Sequence, residues 1–265
     1  MGSLVLEVKR RLSRARRVYG ASLRSALRPE SAPDGLPLPP PALRFLAVGA
    51  TDPGMFVRGG ETVAHTIEAA LARQGVAMEE LGAVLDFGVG CGRVARHWKA
   101  LSERGVEING TDYNPKLVAW CRKGLPFAAF EENGLAPPLP YAEERFGLAY
   151  AYSVFTHLPG ELQAAWTAEL CRVLRPGGYL LITTHGSPFA DARLSADEVA
   201  RFRDGELVVR APTAAGTNPY AAFHPPRYVR EELAQGFEVV EQVEGAGPAG
   251  GGDRVRQDVH VLRRR

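Results

Sequence analysis

The stretch best suited to chemistry is residues 83–94, which read Ala-Val-Leu-Asp-Phe-Gly-Val-Gly-Cys-Gly-Arg-Val. Its apolar start predicts a buried strand, its glycines predict a tight loop, and the pattern of residues 91–101 predicts a helix. Glycine lets backbone approach a ligand closely, and a helix N-terminus offers unpaired N–H groups. A plain strand-to-helix turn is the alternative, but we favour a nucleotide-like ligand. The candidate binding residues here are Asp86, Gly88, Gly90 and Gly92.

A second carboxylate closes the next predicted strand. Residues 106–112 end in Asp112, which lies one strand–helix unit beyond the first acid. A carboxylate at that strand end can accept hydrogen bonds from both ribose hydroxyls of a nucleotide. Alternatively, Asp112 could cap the helix that opens at Asn114-Pro115, since proline suits a first helical turn. We favour ribose binding, with the neighbouring Tyr113 lying against the adenine.

Three histidines could supply a general base, because imidazole changes protonation near neutral pH. His157 follows the fourth predicted strand, His185 follows the fifth, and His224 lies in an insertion beyond it. Each has a structural alternative: His157 could pack under a helix, His185 could bond a strand edge, and Pro225-Pro226 would fix His224 rigidly. We take His224 as the first candidate base. We assign structural roles to His65, His97 and His260.

Strands and helices must alternate to position these residues. Strands are predicted at 83–86, 106–112, 126–131, 146–152, within 174–184, at 237–243 and at 255–262. Helices are predicted at 61–73, 91–101, from 114, at 162–174 and at 227–234, and residues 44–60 are predicted to form a short extended piece and a loop. Such alternation is typical of an α/β sheet.

The Gly-x-Gly-x-Gly spacing after Asp86, the acid at Asp112 and the Arg-Pro-Gly-Gly turn at 175–178 together resemble class I S-adenosylmethionine-dependent methyltransferases, of the type 11/25 group. The likeness covers about residues 60–184. A nicotinamide dehydrogenase is disfavoured, because its third glycine would fall at Arg93. The resemblance implies a Rossmann-like, seven-stranded, mostly parallel sheet with an antiparallel last strand and helices on both faces, plus an N-terminal helix and a cap insertion.

The same resemblance implies S-adenosylmethionine (SAM) as the cofactor. Further cofactor contacts would come from Asn133, Gly134, Leu135 and Ser153. Many relatives carry an acid where Asn133 stands, but an amide can still contact adenine. Metal-dependent members carry acidic ligands after strand four; residues 153–156 here are Ser-Val-Phe-Thr, so no metal is expected.

Charge divides the chain into two parts. The net charge is +2, with +7 in residues 1–28 and −5 in the remainder. We predict a basic N-terminal helix and Pro-rich linker over 1–41, and a methyltransferase domain over 42–265 with a substrate-side cap at 186–226. The acidic body argues against a nucleic-acid partner. Three unpaired cysteines, no apolar membrane-spanning run and no signal-peptide pattern lead us to expect a cytoplasmic protein.

Because the histidines offer a base, we predict O-methylation of a small-molecule, sugar or lipid-linked acceptor. Aromatic and arginine side chains in the cap predict a mixed apolar and cationic pocket for it. N- or C-methylation of a natural product stays open. So does a non-catalytic SAM-fold adaptor, in which the N-terminal helix contacts a membrane or a partner. That helix could also mediate self-association.

Overall fold

The structure is a computed structural model that describes residues 32–210, 220–250 and 254–265. The predicted N-terminal helix, with its membrane, partner and self-association roles, lies outside the described residues, and so do residues 211–219 of the predicted cap. The strands are β1 (Ala83–Phe87), β2 (Glu107–Asp112), β3 (Ala129–Glu132), β4 (Phe146–Ala151), β5 (Leu174–Thr184), β6 (Val208–Arg210), β7 (Ala221–Phe223), β8 (Phe237–Val243) and β9 (Asp258–Arg264).

The helices surround one large sheet. They are α1 (Pro41–Val48), α2 (Pro53–Arg73), α3 (Lys99–Glu103), α4 (Pro115–Gly124), α5 (Gly160–Val173), α6 (Ser187–Arg193), α7 (Ala196–Arg203) and α8 (Pro226–Tyr228), which continues as a π-helical turn over Val229–Leu233. Short 3₁₀ turns span Met78–Leu81, Ala95–Trp98 and Phe155–His157.

The sheet has seven strands in the order β3-β2-β1-β4-β5-β9-β8. The first five are parallel, whereas β9 runs antiparallel to both of its neighbours, β5 and β8. Every residue of β1 and β4 is buried, as expected for parallel strands covered on both faces. The predicted Rossmann-like sheet with an antiparallel last strand and helices on both faces is confirmed. The carboxyl edge of the sheet carries the residues that could bind a ligand or take part in a reaction.

Two apolar layers hold the helices to the sheet. On one face, Val63 and Ile67 of α2 pack with Trp98 and the β-strands, and on the other Trp166 of α5 packs with Phe237. These side chains are at most 2% exposed, and each large one contributes roughly 1.5–3 kcal/mol through burial. The layers therefore fix the strand ends rigidly.

The loop and extended piece predicted for residues 44–60 are wrong, because α1 and the first turns of α2 occupy them. The Asp52 side chain accepts a hydrogen bond from Met55 N, and Pro53 occupies the first turn, so the helix starts eight residues earlier than predicted. Glycine is needed at Gly60, where a Cβ would overlap the Arg93 carbonyl. This close approach seats α2 on the glycine-rich loop.

Other predicted boundaries shift. The helix predicted at 91–101 is wrong: turns cover 91–94, followed by a 3₁₀ turn and then α3, because the glycine loop continues before helical geometry sets in. β3 begins at Ala129, three residues later than predicted, and β9 begins at Asp258, again three residues later. The Arg-Pro-Gly-Gly turn lies within β5 as a bulge, with Gly177 at φ 74°.

The Pro-rich segment is fastened to the body where the structure describes it. Arg96, whose side chain is 0% exposed, donates from Nε to Asp34 Oδ2 at 2.7 Å and from Nη2 to Oδ1 at 2.9 Å. Leu36 is buried beside it. Residues 32–40 are therefore held against the body through Asp34 and Leu36, and the linker and the domain boundary at 41/42 stay predictions.

The predicted cap folds as α6, α7 and the β6–β7 hairpin. Three of its aromatic residues, Phe189, Phe202 and Phe223, bury against one another and form the core of the cap. Its arginines make ion pairs with cap or neighbouring carboxylates: Arg203 with Asp191, Arg210 with Glu198, and Arg227 with Glu231. These contacts stabilise the cap itself, and Phe202, Arg203 and Arg227 also line a surface cleft. The use of that cleft as an acceptor pocket stays a prediction.

Candidate cofactor and acceptor site

The glycine-rich loop closes the carboxyl edge of β1. Gly88, Gly90 and Gly92 have φ of 77°, 58° and 74°, a region that favours glycine. A Cβ at Gly88 would overlap Val154, and one at Gly92 would overlap Leu125. Glycine is thus required both for the backbone angles and for the packing beneath the loop.

Asp112 ties this loop to the end of β2. Its Oδ2 accepts from Gly90 N at 2.9 Å and its Oδ1 accepts from Asn114 N at 2.8 Å. The residue that caps α4 is Asn114, whose side chain accepts from Lys116 N, so the alternative capping role for Asp112 is wrong. Burial raises the pKa of Asp112, and the two N–H donors offset part of that rise. Each carboxylate oxygen keeps acceptor capacity.

Asp86 presents an unsatisfied oxygen. The residue is 4% exposed, and its Oδ2 has no hydrogen-bond partner among the described residues. Burial raises its pKa to about 7, Asp112 adds to the rise, and a hydrogen bond from Tyr150 together with the charge of Arg93 opposes it. The Tyr150 hydroxyl is itself held by Trp98 Nε1 at 2.9 Å. A cationic ligand group would satisfy the Asp86 carboxylate.

The loop after β3 offers a third oxygen. Asn133 N donates to the Asp112 carbonyl at 3.2 Å, and Asn133 Nδ2 donates to the Gly134 carbonyl at 2.7 Å. Asn133 Oδ1 is buried without a partner in the described part of the chain. Two large side chains next to these groups in sequence are exposed: Tyr113, which follows Asp112, at 45%, and Leu135, which follows Gly134, at 64%. This combination suits a flat heterocycle that carries an amino group.

These three oxygens match the polar groups of SAM. The cofactor offers an ammonium for Asp86, a ribose diol for Asp112 and an adenine amine for Asn133. The hydrogen-bond-accepting oxygens of the site therefore fit the donors of SAM. The predicted contacts of Gly134, Leu135 and Ser153 with the cofactor stay predictions.

A second polar cluster lies where β4 and β5 end. Ser153 has φ 60°, which is uncommon for a residue with a side chain. Its N donates to Thr183 Oγ1 at 2.8 Å, and its Oγ accepts from Gln257 Nε2 at 2.8 Å. Thr183 in turn donates to Gln257 Oε1 at 2.5 Å. The cluster lies beside the cofactor edge and can line an acceptor pocket.

The structure separates the three candidate bases. His224 is 1% exposed, its Nε2 lies 3.2 Å from Gln163 Oε1, and burial lowers its pKa well below the usual value, as do His185 and His260. His224 is therefore too deeply buried to take a proton from a methyl acceptor bound at the open edge. The residue contacts α5 because the cap folds inward there.

His185 and His157 lie nearer the open edge and are half-buried. His185 stacks on Phe189, with ring centroids 4.3 Å apart, and its Nε2 lies 3.3 Å from Gln257 Nε2. His157 Nδ1 lies 2.9 Å from the Tyr220 carbonyl. Of the histidines assigned structural roles, His260 bonds Thr184 Oγ1 at 2.8 Å and His97 lies 3.2 Å from the Val57 carbonyl.

Sequence reasoning missed several site residues. Tyr150 and Thr183 look like ordinary strand residues, and Gln257 follows a glycine-rich stretch far along the chain. Thr183 could have been found, because polar side chains at the carboxyl end of a parallel strand are candidates for ligand binding. Nothing in the sequence placed Gln257, since its contacts depend on the position of β9.

In residues 32–210, 220–250 and 254–265, no group of three or more His, Cys, Asp or Glu side chains could hold a metal ion. Within the same ranges, the helices are all too short or too polar to cross a bilayer.

Comparisons with known proteins agree with this geometry. Residues 85–182 match the methyltransferase domain family. Malonyl-(acyl-carrier protein) O-methyltransferase of Salmonella typhimurium is 34% identical over 105 residues, which are 40% of this chain and 39% of that protein. A ubiquinone/menaquinone biosynthesis C-methyltransferase of Laribacter hongkongensis is 32% identical over 109 residues, 37% of this chain and 41% of that protein.

The fold has relatives among crystal structures as well. An S-adenosylmethionine-dependent methyltransferase from Mesorhizobium loti is 19% identical, with a TM-score of 0.51 over 69% of this chain and 91% of that one. The match spans only about two fifths of the length of the two curated relatives. The family match and the glycine loop with its two acids lead to one conclusion: the chain contains a class I methyltransferase domain whose cofactor is S-adenosylmethionine.

Proposed function

We propose that this chain transfers the methyl group of SAM to an oxygen of a small organic acceptor. The observation that carries the proposal is the row of hydrogen-bond-accepting oxygens along the carboxyl edge of the sheet. Within the described part of the chain, Asp86 and Asn133 each keep a buried oxygen without a partner, and Asp112 keeps acceptor capacity between them. These oxygens complement the ammonium, adenine and ribose of one SAM molecule.

The neighbouring cluster is the proposed acceptor side. A bound SAM supplies an electrophilic methyl group, which a nucleophile attacks in line with the departing sulfur. The chain contributes by orienting the acceptor and by keeping water away. Ser153 and His157 follow β4, which pairs with the strand that carries Asp86, and His185 follows β5, the next strand of the sheet. They can contact an acceptor held there.

His157 replaces His224 as our proposed base. The Tyr220 carbonyl can only accept a hydrogen bond, so His157 Nδ1 carries a proton and donates it. In the neutral ring, the basic nitrogen is then Nε2. This is the tautomer required of a general base, and a carbonyl partner on the other nitrogen fixes the ring orientation. His157 can thus take the proton of an acceptor hydroxyl.

The relatives support transfer to oxygen but leave a second candidate. The Salmonella relative is named an O-methyltransferase, whereas the Laribacter relative is named a C-methyltransferase. A carbon acid also needs a base, so the same histidine could serve either acceptor. Sugars, lipid-linked acceptors and other small hydroxyl compounds remain the proposed substrate class.

The test combines cofactor binding with a substrate screen. Calorimetry should show S-adenosylhomocysteine (SAH) binding, and labelled SAM should transfer its methyl group to a member of an acceptor panel. His157→Gln should then lower kcat by about 10²–10⁴ with SAH affinity unchanged. His65→Gln, an exposed histidine of α2, is the matched control and should leave kcat unchanged. Absence of SAH binding would refute the proposal, and an unchanged kcat in His157→Gln would remove the base.

A further inference from the structure

Ser153 and His185 are half-buried groups of the proposed acceptor side. Behind them lie two buried residues, Thr183 and Gln257. Thr183 is the penultimate residue of β5, and Gln257 immediately precedes β9. The amide of Gln257 reaches across the sheet to Ser153, which is 104 positions away in sequence, and to His185. The Gln257 side chain thus contacts Ser153 and His185 at once.

The direction of these hydrogen bonds follows from one backbone group. Ser153 N can only donate, so it occupies a lone pair of Thr183 Oγ1. The Thr183 hydroxyl then donates to Gln257 Oε1, and the 2.5 Å distance suits O–H···O but is too short for N–H···O. The amide nitrogen of Gln257 must therefore face Ser153 Oγ and His185 Nε2 as a donor.

These hydrogen bonds set the protonation of the His185 ring. Its Nε2 accepts from the Gln257 amide, so the ring is neutral and its proton sits on Nδ1. The surroundings agree with a neutral ring. Burial lowers the pKa of His185 to about 4, and the neighbouring His157 and Arg193 lower it too, while the Ala222 backbone opposes the shift. His224, on the other side, also faces this ring.

We propose that Gln257 is a positioning residue that keeps His185 a neutral, Nδ1-protonated imidazole and so leaves the acceptor's proton to His157. This assignment rests on the proposed function. A positive charge on His185 would oppose protonation of His157, since the two rings interact electrostatically. Gln257 therefore divides the roles of two adjacent histidines, one a base and the other an uncharged wall of the acceptor pocket.

Gln257→Glu is the informative substitution. A carboxylate cannot donate, so the atom facing His185 Nε2 becomes an acceptor, and Nε2 must carry a proton. We expect His185 to become either Nε2-protonated or cationic at neutral pH. Gln257→Leu removes the donor without adding an acceptor and should let His185 populate both neutral tautomers. Gln235→Glu is the matched control, because that glutamine is exposed and, among the described residues, its side chain bonds the Glu231 carbonyl alone.

Long-range proton–nitrogen NMR of the ¹⁵N-histidine-labelled full chain reads the tautomers without any need for catalysis. The wild type should show His185 as neutral and Nδ1-protonated from pH 5 to 8, whereas an Nε2-protonated ring would overturn the proposal. An unchanged His185 spectrum in both Gln257 variants would also overturn it. If the chain transfers no methyl group, the spectra still decide this assignment separately.

Kinetics test the catalytic consequence. In Gln257→Glu, a cationic His185 opposes protonation of His157, so the acid limb of the kcat profile should move to lower pH, and kcat on the plateau should fall about threefold, as expected of a weaker base. KM for SAM should stay within about twofold of wild type, because the hydrogen-bond partners of Gln257 in the described part of the chain do not include Asp86, Asp112 or Asn133. A kcat profile identical to that of Gln235→Glu would show that Gln257 has no positioning role.

Discussion

Replacing Asp86 with asparagine should stabilise the cofactor-free protein while weakening cofactor binding. Asparagine has nearly the same shape and can still accept the hydrogen bond from Tyr150, but it cannot ionise. The carboxylate of Asp86 is buried with one oxygen unpartnered. Ionisation of Asp86 is therefore costly in the folded chain until a cationic ligand group arrives.

The size of the effect follows from proton linkage. The pKa of Asp86 is raised from 3.8 to about 7 on folding. Below pH 3.8 the group is protonated in both states and contributes nothing. Between pH 3.8 and about 7 the unfolded state loses its proton first, so the free energy of unfolding falls with rising pH. Above pH 7 the loss reaches about 4 kcal/mol, because each unit is worth about 1.4 kcal/mol.

Urea unfolding of the cofactor-free protein at pH 5 and pH 8 measures this effect. Asp86→Asn should be the more stable protein at pH 8, by up to about 4 kcal/mol, and the difference should shrink at pH 5. Its SAH affinity should fall about 10–100-fold, because a charge-assisted hydrogen bond of about 1.5–3 kcal/mol is lost. Asp191→Asn is the matched control, since that carboxylate is exposed at 58%. A variant that is no more stable than wild type at pH 8 would refute the reasoning.

Two further predictions concern the same framework. SAH affinity of the wild type should rise between pH 6 and pH 8, because Asp86, which faces Asp112, Arg93 and Tyr150, must lose its proton before it contacts the ammonium; calorimetry that shows weaker binding at pH 8 would contradict this. Asp34→Ala should lower the free energy of unfolding by about 3 kcal/mol, because it leaves the fully buried guanidinium of Arg96 unpaired. An unchanged urea midpoint would show that this ion pair is not stabilising.

The cofactor half of the site could be predicted because its residues follow directly from local patterns. An apolar run, a glycine cluster and an acid at the next strand end each mark the carboxyl edge of a parallel sheet. Asp86, Gly90 and Asp112 therefore meet at that edge whatever the rest of the chain does. Helix boundaries were less accessible, since the start of α2 depends on the cap at Asp52 and on the contact of Gly60 with Arg93.

The acceptor half depended on tertiary structure. Periodicity indicates which face of a strand is buried, but not which strand lies beside it. The insertion of β9 next to β5 is what brings Gln257 to Ser153 and His185. Likewise, the position of His224 in the cap insertion suggested a base, yet the folding of the cap turns that ring onto Gln163 in the interior.

The sequence by itself determined the sheet class and the cofactor, and it predicted the residues that would bind the cofactor, because these depend on contacts within one or two strand–helix units. Only the tertiary structure decided which histidine lies near the open edge and which proton it carries. A tautomer is set by the partner of the other ring nitrogen, and those partners, the Tyr220 carbonyl for His157 and the Gln257 amide for His185, come from distant segments.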